Sequence, residues 1–205
     1  MITPLDKTIK GVMEFSWPML VISCLIVSSI RITDIIKNKK EFVLYKELIN
    51  IFFIIYILCL FQVVTFQDPA SFGTHNNLSP FKEIFRYNIG SRLFIKNVIG
   101  NLVMFIPYGI FVSIYTKMDK KWGAFLLIAF ASFSIEITQS SIGRVFDIDD
   151  IILNIIGGMI GFFIYSLLVK IGQALPIKLR GEWLLNIFMT FILIILFLYL
   201  GRLMA

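Results

Sequence analysis

Charge is scarce in this chain and histidine nearly absent. Only 16% of the 205 residues are Asp, Glu, Lys or Arg, and His75 stands alone. A soluble domain carries about 25% charged residues and roughly 45–50% apolar ones. This chain is 58% hydrophobic, with a mean hydropathy of +0.87. With one histidine, a multi-histidine zinc site is excluded, and His75 reads as an incidental loop residue. Cysteine is limited to Cys24 and Cys59, both inside apolar runs. They read as small packing residues rather than a disulfide framework. There is no phosphate-cradling glycine loop, no dinucleotide fingerprint and no serine-elbow motif. No internal repeat and no low-complexity tail are evident.

What is present is length of apolar sequence. Runs fall at about 15–30, 49–66, 98–116, 122–140, 151–169 and 184–200. Apolar stretches near this length are read as membrane-spanning helices. The fold expected is an all-α polytopic membrane bundle of about six transmembrane helices, with 1–205 as a single membrane domain. The first run has no small-residue cleavage site after it, so a retained helix is expected rather than a removed signal peptide. It is also the shortest, so flanking residues must help it span. Gln67-Asp68-Pro69 marks the exit from the second run. Trp17, Trp122 and Trp183 sit near span ends as interface anchors.

The connection 67–96 is the longest. Ser79-Pro80 followed by Lys82-Glu83 has the form of a helix start with Pro at the first helical position. Phe81, Ile84 and Phe85 then share a stripe, with Lys82, Glu83 and Arg86 mostly off it. An interfacial helix near residues 80–95 is expected, with Lys82, Arg86 and Arg92 touching lipid phosphates.

The formal net charge is +6. In a soluble chain that excess would raise nucleic acid as a partner. Here the basic residues border apolar runs, which points to membrane headgroups and cytoplasmic loops, with no nucleic acid. Placing the N-terminus outside puts Arg31, Lys37, Lys39, Lys40, Lys46, Lys117, Lys120, Lys121, Lys170, Lys178 and Arg180 in the cytoplasm. The acidic 141–150 turn then lies outside. The basic residues of 67–96 run against this bias unless they bind lipid phosphates.

The remaining polarity is concentrated. Glu136 and Gln139 share a face near the end of the fourth run. Asp150 and Asn154 share one at the opening of the fifth, and Asn97 and Asn101 at the opening of the third. Arg144 lies in the turn beside them. Ionisable residues inside a span are functional candidates by default. Glu136, Asp147 and Asp150 are candidate catalytic carboxyls, Glu136 first, because a carboxyl in a low dielectric can transfer a proton near neutrality. Asn101, Gln139, Arg144 and Asn154 are candidate substrate contacts, Arg144 as a clamp for phosphate or carboxylate. Three other readings stay open. Asp147, Asp149 and Asp150 offer oxygen ligands to a divalent cation. Asp147 and Asp150 can cap the fifth helix. Arg144 can pair with Glu136, Asp147 or Asp150 and only fix the turn.

Several stretches occur in order: Asn77-Leu-Ser-Pro-Phe81, Asn97-Val-Ile-Gly-Asn-Leu-Val-Met-Phe-Ile-Pro-Tyr-Gly109, Glu136-Ile-Thr-Gln139, Gly143-Arg144, Phe146-Asp147, Asp150 and Asn154-Ile-Ile-Gly157. Together they resemble the VanZ-like family of bacterial membrane proteins over about residues 50–170. Matching the family motif selects Asn101, Pro107, Gly109, Glu136, Gln139, Arg144, Asp147, Asp150, Asn154 and Gly157. The resemblance implies a protein of a Gram-positive-type cell membrane. The family's named member is an accessory protein that lowers susceptibility to teicoplanin-type antibiotics. The resemblance brings no reaction with it. Three functions are therefore expected as alternatives. One is binding or modification of a lipid or lipid-linked envelope precursor at the outer leaflet. The second is a small transporter or flippase. The third is a non-catalytic envelope accessory protein.

Overall fold

A backbone in hydrocarbon must satisfy its own polar groups, so long apolar runs can cross only as helices or closed barrels. These runs become helices. The structure, a computed structural model, describes residues 4–65, 76–117 and 120–204. His75 and Gln67-Asp68-Pro69 lie outside the described residues. Seven helices are present among them: α1 Pro4–Asn38, α2 Leu44–Thr65, α3 Lys82–Arg86, α4 Arg92–Thr116, α5 Lys121–Ser141, α6 Ile148–Ala174 and α7 Glu182–Met204. All but α3 are long and apolar enough to cross a membrane.

The chain forms two units. The first comprises residues up to Val63 together with Ala174 onward. Here α1 runs well past the expected end of its apolar segment, giving a span of Trp17–Asn38. Pairing explains the extension. Arg31 makes a two-pronged contact with Glu47, 2.8 Å at each prong, and a third bond to Asp34 at 2.8 Å. Lys40 closes on Asp34 at 2.8 Å. Lys46 reaches Glu182 at 2.7 Å, and Asn186 accepts from the Tyr45 N–H at 3.0 Å. Both cysteines are free.

The second unit, Val64–Gln173, holds α3 to α6. Its packing follows a four-residue period, the spacing of the ridges that interlock between helices. On α5 the buried line is Ala124, Ile128, Ser132 and Glu136. On α4 it is Phe105, Gly109 and Ser113, and Asn101 lies one step earlier on that line. On α6, Asn154, Gly158 and Phe162 are buried, with Asp150 one step earlier. The apolar steps make one core of Phe105, Ala124, Ile128 and Phe162, flanked by Met104, Tyr108, Ile155 and Met159. Each line ends in a polar residue at the same end of the unit.

Glycine sets how closely these lines approach. A methyl group on Gly109 would collide with the Gly158 carbonyl, and one on Gly161 with the Ile106 carbonyl. Backbones this close are what small residues permit between membrane helices. Gly172, further along α6, faces open space. Gly161→Ala should therefore lower the melting temperature, because overpacking costs about 1–3 kcal/mol. Gly172→Ala should leave it unchanged or raise it, by up to about 1 kcal/mol of helix preference. Thermal unfolding of both variants in the same nanodisc is the measurement.

Candidate functional site

The polar end of the second unit is assembled by a short turn. Helix α5 stops at Ser141, and Gly143 takes a left-handed conformation (φ 91°). The chain then folds back so that the Arg144 N–H reaches the Gln139 carbonyl at 3.0 Å. Glu136, 1% exposed, receives the Asp147 main-chain N–H on Oε1 at 2.6 Å. Hydrogen bonding assigns the Gln139 amide with its nitrogen toward Glu136. In that orientation it donates to Oε2 at 3.0 Å, and its oxygen accepts from the Arg144 guanidinium. Arg144 also donates to the Val64 carbonyl at 3.2 Å. Arg144 therefore reaches Glu136 through Gln139. Both Glu136 oxygens are occupied.

The three aspartates diverge. Asp147 precedes α6, and its Oδ1 accepts from the Asp149 N–H at 2.9 Å, the bond of a helix N-cap. The same oxygen accepts from Asn77 Nδ2 at 2.8 Å. Burial pushes the Asp147 carboxyl above its ordinary range, and the bonds from Asp149 and Asn77 oppose that shift. Asp149, 1% exposed, turns the other way. It accepts from the main-chain N–H groups of Phe81, Glu83 (2.7 Å) and Ile84 (3.2 Å). It thus caps α3 from another helix. Asp150 Oδ1 accepts from Asn101 Nδ2 across to α4. Its second oxygen makes no bond among the described residues. The cation reading fails on this divergence: no group of three His, Cys, Asp or Glu among the described residues can hold a metal ion.

The 76–87 segment is laced onto the turn. Asn77 forms an isolated parallel bridge with Asp147, through Asn77 N–H to Phe146 O at 2.8 Å and Ile148 N–H to Asn77 O at 3.0 Å. Asn76 accepts from the Phe146 N–H. Phe81 sits in the left-handed region (φ 67°), a strained place for a bulky residue, and its N–H is one of those bonded to Asp149. Helical structure is shorter here than the apolar spacing suggests. It covers only Lys82–Arg86 and gives way to extended Tyr87 and left-handed Gly90. Pro80 precedes the cap residue instead of opening the helix. Ser91 caps the next helix by accepting from the Phe94 N–H at 3.1 Å. The Gly90-Ser91 pair is the sequence signal for that break.

Lys82, Arg86 and Arg92 are exposed, Arg86 in a 3.1 Å contact with Glu83. Leu78, Phe81, Phe85, Ile89 and Leu93 are exposed beside them. Asn97 lies in a π-helical turn, Ile95–Ile99, and donates to the Tyr87 hydroxyl at 2.9 Å, so it does not share a partner with Asn101. Burial raises the Tyr87 hydroxyl's pKa, and the bond from Asn97 opposes this. Asn154 is 2% exposed, and its Oδ1 has no hydrogen-bond partner among the described residues. A buried polar atom left so costs about 1–3 kcal/mol. Asn77 belongs to this site as a structural tie. It stands in the ordered motif, but its distance along the chain from Asp147 conceals the pairing.

Fold and site together define a multi-pass helical membrane protein whose buried polar groups gather at one end of a helix bundle. The chain belongs to the VanZ/LLP1 family, whose sequence model matches residues 53–170. The matched stretch contains every residue of the polar end. No curated protein and no solved structure matches the chain.

Asp149→Ala should release the 78–90 segment, since it removes a charged acceptor from three N–H groups at about 1.5–3 kcal/mol per bond. Trypsin should then cut after Lys82 and Arg86 at least about tenfold faster, that being the effect of ~1.4 kcal/mol on local opening. Cutting at the wild-type rate would mean that Asp149 does not hold the segment.

Proposed function

We propose that this VanZ/LLP1 protein works in a bacterial plasma membrane, with the 141–150 turn on the outer side. There the polar end of the second unit binds or modifies the headgroup of a lipid or lipid-linked envelope precursor. The observation that carries the reading is the buried Asn154 Oδ1, without a partner among the described residues and on the same helical face as Asp150. Groups that only tie helices together satisfy one another, as Glu136, Gln139 and Asp147 do. Asn154 and the second oxygen of Asp150 remain for a ligand. Asp150 is then the carboxyl that exchanges a proton or hydrogen bond with the headgroup. Glu136, Gln139, Arg144 and Asp147 position the turn that carries it. The exposed apolar residues of 78–93 enter the lipid surface, and Lys82, Arg86 and Arg92 meet phosphates. The positive-inside distribution of the other basic residues supports the orientation.

A non-catalytic accessory role is favoured by one fact, the mutual satisfaction of most of the network. The two readings separate on Asp150→Asn. Full-length protein in nanodiscs is given a panel of polar lipids, and retention and turnover are followed by mass spectrometry. The headgroup reading expects at least one lipid retained or modified, with about a tenfold loss in Asp150→Asn, as for one buried hydrogen bond. The accessory reading expects the folded variant to match the wild type. For the orientation, Ile142→Cys in a Cys24→Ala, Cys59→Ala background should react with an impermeant maleimide on intact cells. Labelling only after lysis would refute the outer-leaflet placement.

A further inference from the structure

The headgroup reading leaves open which part of the headgroup is buried, and the donors and acceptors at the site narrow it. Asn154 is buried, with no partner for its side-chain oxygen among the described residues. Asp150 lies four residues earlier, so the two side chains stand about 5–6 Å apart at Cβ on one face of α6. Asp150 spends one oxygen on Asn101, which brings a second amide from α4. The three make an amide, carboxylate, amide set that carries no positive charge.

The nearby cation is committed elsewhere: the Arg144 guanidinium bonds the Val64 carbonyl and Gln139. A phosphate offers acceptors alone, and the unoccupied oxygens of Asn154 and Asp150 are acceptors too. An ammonium group has hydrogens for both atoms, but it brings a full charge out of water, a cost that pairing with Asp150 repays only in excellent geometry. A hydroxyl donates to such an acceptor without bringing a charge. Two neighbouring hydroxyls therefore match a carboxylate and an amide one helical turn apart.

We infer that Asn101, Asp150 and Asn154 form a hydroxyl-recognising site that takes the glycerol or sugar portion of a headgroup, leaving its phosphate to the exposed Lys82 and Arg92. This rests on the headgroup reading and narrows it.

The test uses the full chain in phosphatidylcholine nanodiscs, each doped with one probe lipid. The probes are phosphatidylglycerol, diglucosyl diacylglycerol, phosphatidylethanolamine and phosphatidic acid, and lipid retained on release is read by native mass spectrometry. Phosphatidylglycerol or the diglucosyl lipid should be retained about tenfold over phosphatidic acid, the effect of one additional buried hydrogen bond. Which of the two leads identifies glycerol or sugar as the source of the hydroxyls. Asn154→Ala should bring the preference close to unity. Asp150→Asn gives the same comparison if the first variant does not fold. Arg92→Gln should weaken the three phosphate-bearing probes and spare the diglucosyl lipid.

Equal retention of phosphatidic acid, or a lead for phosphatidylethanolamine, would overturn the inference while leaving headgroup binding intact. So would an unchanged preference in folded Asn154→Ala, which would mean that water alone fills the gap. Retention of none of the four probes would overturn the headgroup reading as well.

Discussion

Three helices of the second unit meet at Gly158, and the polar end depends on that meeting. The Gly158 carbonyl lies where a Gly109 side chain would be, and a methyl on Gly158 would sit 2.5 Å from the Ile128 side chain. Gly109, Gly158 and Ile128 each belong to a buried line of four-residue period. Once they touch, the register of all three lines is fixed, because close-packed surfaces allow little sliding. Two steps from Gly109, Asn101 faces Asp150, itself two steps from Gly158. Two steps from Ile128, Glu136 meets the returning chain at Asp147. Helix packing thus does the aiming, and the hydrogen bonds hold what has been aimed.

The turn after α5 converts this register into chemistry. Glu136 takes the Asp147 N–H, Asp147 caps α6, Asp149 caps α3 and Asp150 reaches α4. Four acids within fifteen residues have four separate tasks, and each removes a buried donor that would otherwise lack an acceptor. Such economy suits a site in a low dielectric, where unsatisfied polar groups are costly. Asn154 stands outside it, and so the functional reading is built there.

The spans were legible because their length and hydropathy are one-dimensional properties. Glu136, Arg144, Asp150 and Asn154 were legible as a group for a similar reason, since charge and amides are rare inside apolar runs. The division of labour among the aspartates was not. Asp147, Asp149 and Asp150 are nearly adjacent, which suggests a shared ligand. On a helix start, however, consecutive side chains point about 100° apart, and three directions give three partners. The fate of α3 was hidden for another reason. Its cap is supplied by Asp149, 66 to 68 residues away in sequence, so no local spacing could reveal it. The ion pairs of Arg31 extended α1 in the same non-local way. The π turn at Ile95–Ile99 has no distinctive composition.

Residue-resolved amide exchange at Asp147 and Asp149 in Gly109→Ala, compared with wild type in nanodiscs, tests the dependence of the polar end on helix register most directly. The substitution meets Gly158, not the turn that carries these amides. Faster exchange at both, and at Phe81 and Glu83 beyond them, is the predicted result. Unchanged protection at these four amides, in a variant whose α4 and α6 are measurably loosened, would contradict it.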